Sequence, residues 1–132
     1  MKQAFLSLPS HPEVARQLLR LKGDGHTIVA FSNGSEAGLS TQLGRAKLAD
    51  VFDHVISVEG IRLFKPAHQA YEYMLRQIGS LPHETMMVAA HDWDIAGARR
   101  AKMRGAFVMR HGVSWTLPEP LPEVVIRSLD EL

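Results

Sequence analysis

The stretch Met86–Arg110, MMVAAHDWDIAGARRAKMRGAFVMR, constrains the fold of this chain more than any other. The apolar run from Met86 to Ala90, bounded by polar residues, predicts a short buried parallel strand. His91-Asp92-Trp93-Asp94 breaks the run, and a helix of small residues is expected from Ile95 through Ala98 to about Arg104. Gly105 stands where a helix-terminating glycine belongs, and Ala106–Met109 is apolar again. This is a strand–helix–strand unit with carboxylates at the carboxyl end of its first strand. In open parallel sheets that edge is where ligands bind. The small face Ala96, Gly97, Ala98 and Ala101 would let the helix lie close on the sheet.

Other segments repeat the alternation. Ala4–Leu8 is a short apolar run ending at Pro9, a strand or an extended lead-in. Ser10-His11-Pro12-Glu13 has the spacing of a capping box with proline in the first turn, and Val14, Leu18 and Leu21 follow at helical spacing. Gly23-Asp24-Gly25 ends that helix. Thr27–Phe31 predicts a buried strand ending in Ser32-Asn33-Gly34-Ser35, followed by a helix over about 36–43. Val55–Val58 is a further short strand. Leu63-Phe64-Lys65-Pro66 is a loop before a helix over 68–78, whose inner side is expected to carry Ala70, Tyr73 or Met74, and Ile78. After Arg110 comes a loop to Glu123, a short strand at Val124–Ile126 and a terminal turn. Strands alternating with helices at this interval imply right-handed βαβ crossovers: an α/β fold, three-layer and Rossmann-like, with helices on both faces of a parallel sheet. At 132 residues and 45% hydrophobic, the chain suits one domain spanning 1–132.

Composition excludes several classes of function. A formal charge of +1 with scattered Lys and Arg offers no patch for nucleic acid or anionic membrane. There is no cysteine, hence no disulfide, no Cys-based zinc site and no thiol catalysis; this fits a cytoplasmic location. No apolar run approaches the roughly 18 residues of a membrane span. The seven histidines show no i, i+4 pair of the kind that holds a metal on a helix.

Three strand ends or following loops carry polar groups: Ser32-Asn33-Gly34, Lys65, and Asp92 with Asp94. In a parallel sheet they share one edge and can converge on one cleft. A hydroxyl with backbone N–H groups, a cation and a carboxylate suit the binding or turnover of a small anion. Local roles are open to each of them as well. Ser32 or Ser35 could cap the following helix, Lys65 could be a solvated charge, Asp94 could be an N-cap, and Trp93 could serve packing.

The ordered set of a strand with Ser32-Asn33-Gly34, then Leu63-Phe64-Lys65-Pro66, then a strand with His91-x-Trp93-Asp94-x-x-Gly97-Ala98 resembles the haloacid dehalogenase superfamily. It is most similar to the 2-haloacid dehalogenase (type II) branch, and Phe52-Asp53-x-Val55-Ile56-Ser57-Val58-Glu59 and Tyr71 also fall in its pattern. The resemblance implies the HAD-like core fold and a hydrolase acting through an aspartyl intermediate. It implies that Ser32 and Asn33 bind the substrate carboxylate or phosphate. Lys65 would orient and neutralise the nucleophilic aspartate, and Tyr71 would be an active-site tyrosine. Asp94 would support the site and, with weak help from Asp92, would hold Mg²⁺ only if the chemistry is phosphatase-like; otherwise no cofactor is expected. His91 stands where that branch commonly has asparagine, and Ala89 where it has serine, and His91 is counted with the substrate-binding residues.

The resemblance also marks what is missing. The family's nucleophile is an Asp in a pattern like Asp-x-x-x-Thr at the end of the first, central strand. Before Ser32 the only acids are Glu13 and Asp24, and neither follows an apolar strand. The helical cap and its arginine have no counterpart, so the expectation is an N-terminally truncated core without a cap domain, inactive alone; the alternatives are a non-catalytic anion-binding or dimerisation module derived from that fold, or a fragment of a longer hydrolase. Losing the central strand would leave a gap of roughly 10 Å in the sheet. Gln3–Leu8 is expected to fill it, making a βαβ crossover to Thr27–Phe31 and bringing Ser7, Leu8 or Ser10 near the nucleophile position; the alternatives are that the flanking strands close up, that a partner chain donates a strand, or that the sequence is a fragment. Lys65 and Asp94 are then expected to pair with each other. The expected partners are a small anionic molecule and a second copy of the chain, since an uncapped site exposes apolar surface on which a homodimer could form. Val113–Leu117, with Trp115, is either one such contact or a fold over the core.

Overall fold

The computed structural model describes residues 3–6, 12–45, 48–110 and 114–132, with the backbone alone for 3–6, 12 and 13. Its six strands are β1 (Gln3–Leu6), β2 (Thr27–Ser32), β3 (His54–Ser57), β4 (Thr85–Ala89), β5 (Arg104–Val108) and β6 (Val124–Ile126). Four α-helices connect them: α1 (Pro12–Gly23), α2 (Glu36–Arg45), α3 (His68–Ile78) and α4 (Asp92–Arg100). All strands are parallel, in the order β3-β2-β1-β4-β5-β6. The expected α/β class and its parallel sheet are thus observed.

The N-terminal run occupies the centre. Gln3–Leu6 pairs with Thr27–Ala30 on one side and with Thr85–Val88 on the other. The chain runs outward from β1 through β2 to β3, then returns to β4 on the other flank of β1, so strand order reverses there. Ligand clefts open at the carboxyl ends of strands beside such a reversal. Ser7, Leu8, Ser10 and His11, together with the capping box at Ser10, lie outside the described residues.

Two apolar clusters sandwich the sheet, because successive strand residues face opposite sides. Ile28, Ala30, Met86, Val88 and Ala106 pack with Val14, Leu18 and Leu21 of α1 and Leu39 and Leu43 of α2. Val29, Phe31, Met87, Ala89 and Phe107 pack with Ala70, Tyr71, Met74 and Leu75 of α3 and Ile95 and Ala98 of α4. The inner face of α3 carries Ala70, Tyr71, Met74 and Leu75, with Ile78 partly buried against the same cluster; of the expected Tyr73 or Met74 it is Met74 that faces inward, and Tyr71 and Leu75 join it. Trp115 folds over the core, edge-on to Phe107 with ring centroids 5.3 Å apart.

The organising unit differs from expectation at both ends of its helix. α4 starts at Asp92 and stops at Arg100, several residues short of Arg104. Its end is closed by Lys102 in the left-handed region (φ 70°), with Lys102 N–H on Arg99 O and Met103 N–H on Ala98 O. That is the Schellman pattern with lysine in the position glycine usually takes. Gly105 lies inside β5 instead, where a Cβ would come within 2.9 Å of Ile95 Cγ2. Its missing side chain lets helix and sheet approach, and it terminates nothing.

Candidate active site

Lys65 lies in the loop before α3, beside the end of β2. Both sides of its backbone are bonded to Asn33: Lys65 N–H donates to Asn33 Oδ1 (2.7 Å), and Asn33 Nδ2 donates to Lys65 O (3.3 Å). Its side chain turns inward and is 2% exposed. The ammonium reaches Asp94 Oδ2 at 2.8 Å and Phe31 O at 3.3 Å, and sits 4.8 Å from the centre of the Phe31 ring. A solvated lysine, the usual fate of that residue, is not what the fold makes of Lys65.

Asp94 is fully buried in the first turn of α4. Its place is inside the helix, and the N-cap position belongs to His91, which makes no side-chain capping bond. The carboxylate divides its oxygens between two elements. Oδ2 takes the Lys65 ammonium, and Oδ1 takes the Tyr71 hydroxyl from α3 at 2.7 Å. Tyr71 is fully buried, with its ring edge-on to Phe31 at 5.9 Å. Burial, with the Asp94 charge and hydrogen bond adding to it, holds the Tyr71 phenol far above the ordinary tyrosine range. It is a neutral donor to Asp94. Gly97 makes room for this contact, since a Cβ there would lie 2.6 Å from the Tyr71 hydroxyl and 2.9 Å from Pro66 Cβ.

The other residues expected at the site are less tightly joined to it. Ser32 Oγ accepts from Gly34 N–H at 2.9 Å, forming the β2 turn. Ser35, not Ser32, caps α2, accepting from Gly38 N–H at 3.0 Å. His91 is exposed and stacks on Trp93, with ring centroids 5.5 Å apart and 15° between planes. Trp93 is itself 37% exposed, so its packing partner is His91 and not the core. Asp92 turns away from Asp94 to the loop after β5, where its Oδ2 takes Thr116 N–H (3.1 Å) and the Thr116 hydroxyl (2.5 Å). Those hydrogen bonds, the hydroxyl's foremost, lower its carboxyl below the usual range.

This donor set does not fit Mg²⁺. A hard dication needs several oxygens converging on one point. Both Asp94 oxygens are committed to Lys65 and Tyr71, and Asp92 faces Thr116. Among the described residues, no three acidic or histidine side chains gather around a common centre. Sequence reasoning missed Phe31, whose carbonyl and ring both meet the ammonium, and Thr116, which engages Asp92. Phe31 was legible only as the last apolar residue before Ser32, and Thr116 carries no sequence signal.

Known proteins agree with this architecture. The family model for haloacid dehalogenase-like hydrolases matches residues 2–102. The chain is 31% identical over 131 residues to (S)-2-haloacid dehalogenase H-109 of Pseudomonas putida, covering 98% of this chain and 58% of that protein. It is 28% identical over 112 residues to (S)-2-haloacid dehalogenase 4A of Burkholderia cepacia, covering 85% and 48% respectively. A solved dehalogenase superposes with a TM-score of 0.89 at 26% identity, over 95% of this chain and 55% of the other. A solved L-2-haloacid dehalogenase gives 0.87, also at 26% identity, over 92% and 53%. The chain thus spans about half the length of the relatives it matches. Parallel sheet, ordered motifs and buried Lys65–Asp94–Tyr71 network together make this chain a member of the haloacid dehalogenase-like hydrolases.

Proposed function

We propose that this chain is a hydrolase core that binds a small organic anion at the carboxyl ends of β2 and β4 and does not by itself hydrolyse 2-haloacids or phosphate esters. The observation that carries this reading is the 2.8 Å contact between Lys65 and Asp94. In a nucleophile-bearing site of this family, the lysine would face the attacking aspartate. Here its charge is met by Asp94, and Asp94 is saturated by Tyr71. A serine from 7–10 would need a general base to attack; the His–acid contact of His68 with Glu72 (2.6 Å) joins two half-exposed side chains on α3. Anion binding falls to the Ser32 hydroxyl and the loop amides about it, so affinity is expected on the order of millimolar. A cytoplasmic setting belongs to the same reading, supported by the cysteine-free composition. Among the described residues, no helix is long and apolar enough to cross a membrane.

The relatives named (S)-2-haloacid dehalogenase suggest 2-chloropropionate as the probe. The purified chain is expected to release no chloride from it, and no phosphate from p-nitrophenyl phosphate with Mg²⁺. NMR titration with 2-chloropropionate is expected to give saturable shifts at the amides of residues 32–34. Turnover that disappears in Asp94→Asn would refute the inactive reading, and the absence of saturable shifts would refute the anion site.

A further inference from the structure

We infer that Asn33 is a positioning residue for Lys65, acting through its side-chain amide on the Lys65 backbone. Lys65 lies in a stretch, residues 61–67, with no helix or strand to hold it. The preceding Leu63 and Phe64 add little packing to hold its backbone, since they are 42% and 64% exposed. What grips its backbone is one planar group. Asn33 Oδ1 and Nδ2 engage the N–H and the C=O of Lys65, on either side of its Cα, so both backbone torsions of that residue are restrained together. The orientation of the amide is dictated by its partners, since a backbone N–H can only donate and a carbonyl only accept.

The far end of the same side chain meets the same strand end, where Phe31 O accepts from the ammonium. Phe31 and Asn33 flank Ser32, so the end of β2 holds Lys65 at its backbone and at its tip. The Ser32 hydroxyl and the Lys65 ammonium thereby keep one mutual geometry. Asparagine suits the task because it offers donor and acceptor in one plane; aspartate keeps only the acceptor and sets a charge against the Lys65 carbonyl. The functional meaning of the grip rests on the anion-cleft reading above, whereas the grip itself does not.

Lys65 labelling by reductive methylation, followed by peptide mass mapping, reads how often its amine escapes. The reference is Leu43→Ala, a core truncation on the opposite face of the sheet, with urea added until it and Asn33→Ala have equal global stability. At matched stability, Lys65 in Asn33→Ala is expected to label about tenfold faster or more, as two lost hydrogen bonds imply. Asn33→Asp should fall between Asn33→Ala and the parent chain. Equal labelling in Asn33→Ala and the Leu43→Ala reference would overturn the assignment. Should Asn33→Ala fail to fold, Asn33→Asp carries the test, and labelling no faster than in the parent chain would overturn it. No ligand enters the measurement. A parent chain that binds no anion while its Lys65 labelling still depends on Asn33 would count against the cleft's function and leave the positioning intact.

Discussion

Replacing Lys65 by methionine leaves the Asp94 carboxylate buried with only the Tyr71 hydroxyl for company. The pair is closed at 2.8 Å with side chains 2% and 0% exposed, so solvent screens it little. At an effective dielectric constant of about 20, charges at that distance attract by about 6 kcal/mol, most of it offset by the cost of taking both from water. Removing one partner keeps that desolvation cost and loses the attraction. Lys65→Met and Asp94→Asn should each therefore cost about 3–5 kcal/mol, a large part of the roughly 5–15 kcal/mol that holds a domain together. For a chain this size, that lowers Tm by roughly 10–20 °C. The double variant strands no charge and should cost about as much as either single change, giving a coupling of at least about 2 kcal/mol. Urea melts at pH 7, followed by far-UV circular dichroism on all four proteins, measure the cycle. Single changes costing under about 1 kcal/mol, or a double variant equal to the sum of the singles, would refute a closed, desolvated pair.

Two further outcomes follow from the same network. Because the Tyr71 phenol is raised in the folded state, its contribution is fully present below the unfolded tyrosine value of about 10 and is lost as pH rises above it. Stability should fall by about 1.4 kcal/mol per pH unit in that range beyond the fall shown by Tyr71→Phe, and parallel slopes in urea melts from pH 8 to 11 would contradict this. Gly97→Ala should be destabilising by about 1–2 kcal/mol, because overpacking against the pinned Tyr71 outweighs the helix-propensity gain of about 1 kcal/mol; a stabilised variant on thermal melting would show that α3 and α4 can separate at no cost.

Much of the architecture was legible in short-range pattern. The α3 limits, 68–78, follow from helical periodicity after Pro66, and β2 from an apolar run bounded by turn residues. The placing of the N-terminal run in the sheet centre, observed for Gln3–Leu6, comes from the family resemblance, which implies a missing central strand that Gln3–Leu8 is expected to replace. At two positions a residue's local signal competes with a distant partner. Asp94 before Ile95 resembles an N-cap, and Gly105 resembles a helix stop. Each was displaced by a packing demand: a buried ammonium for Asp94 and the close approach of Ile95 for Gly105.

Composition and periodicity by themselves determined the α/β class, the strand–helix alternation and the set of polar residues delivered to one edge of the sheet, because those depend on neighbours a few positions apart. Only tertiary structure decided which of those residues touch. Asp94 meets Lys65 across 29 positions and Tyr71 across 23, and Asn33 holds Lys65 across 32. Such pairings are set by strand order and by how tightly the crossover helices seat on the sheet. Burial then makes each contact strong, since a charge removed from water must find its partner at hydrogen-bond distance.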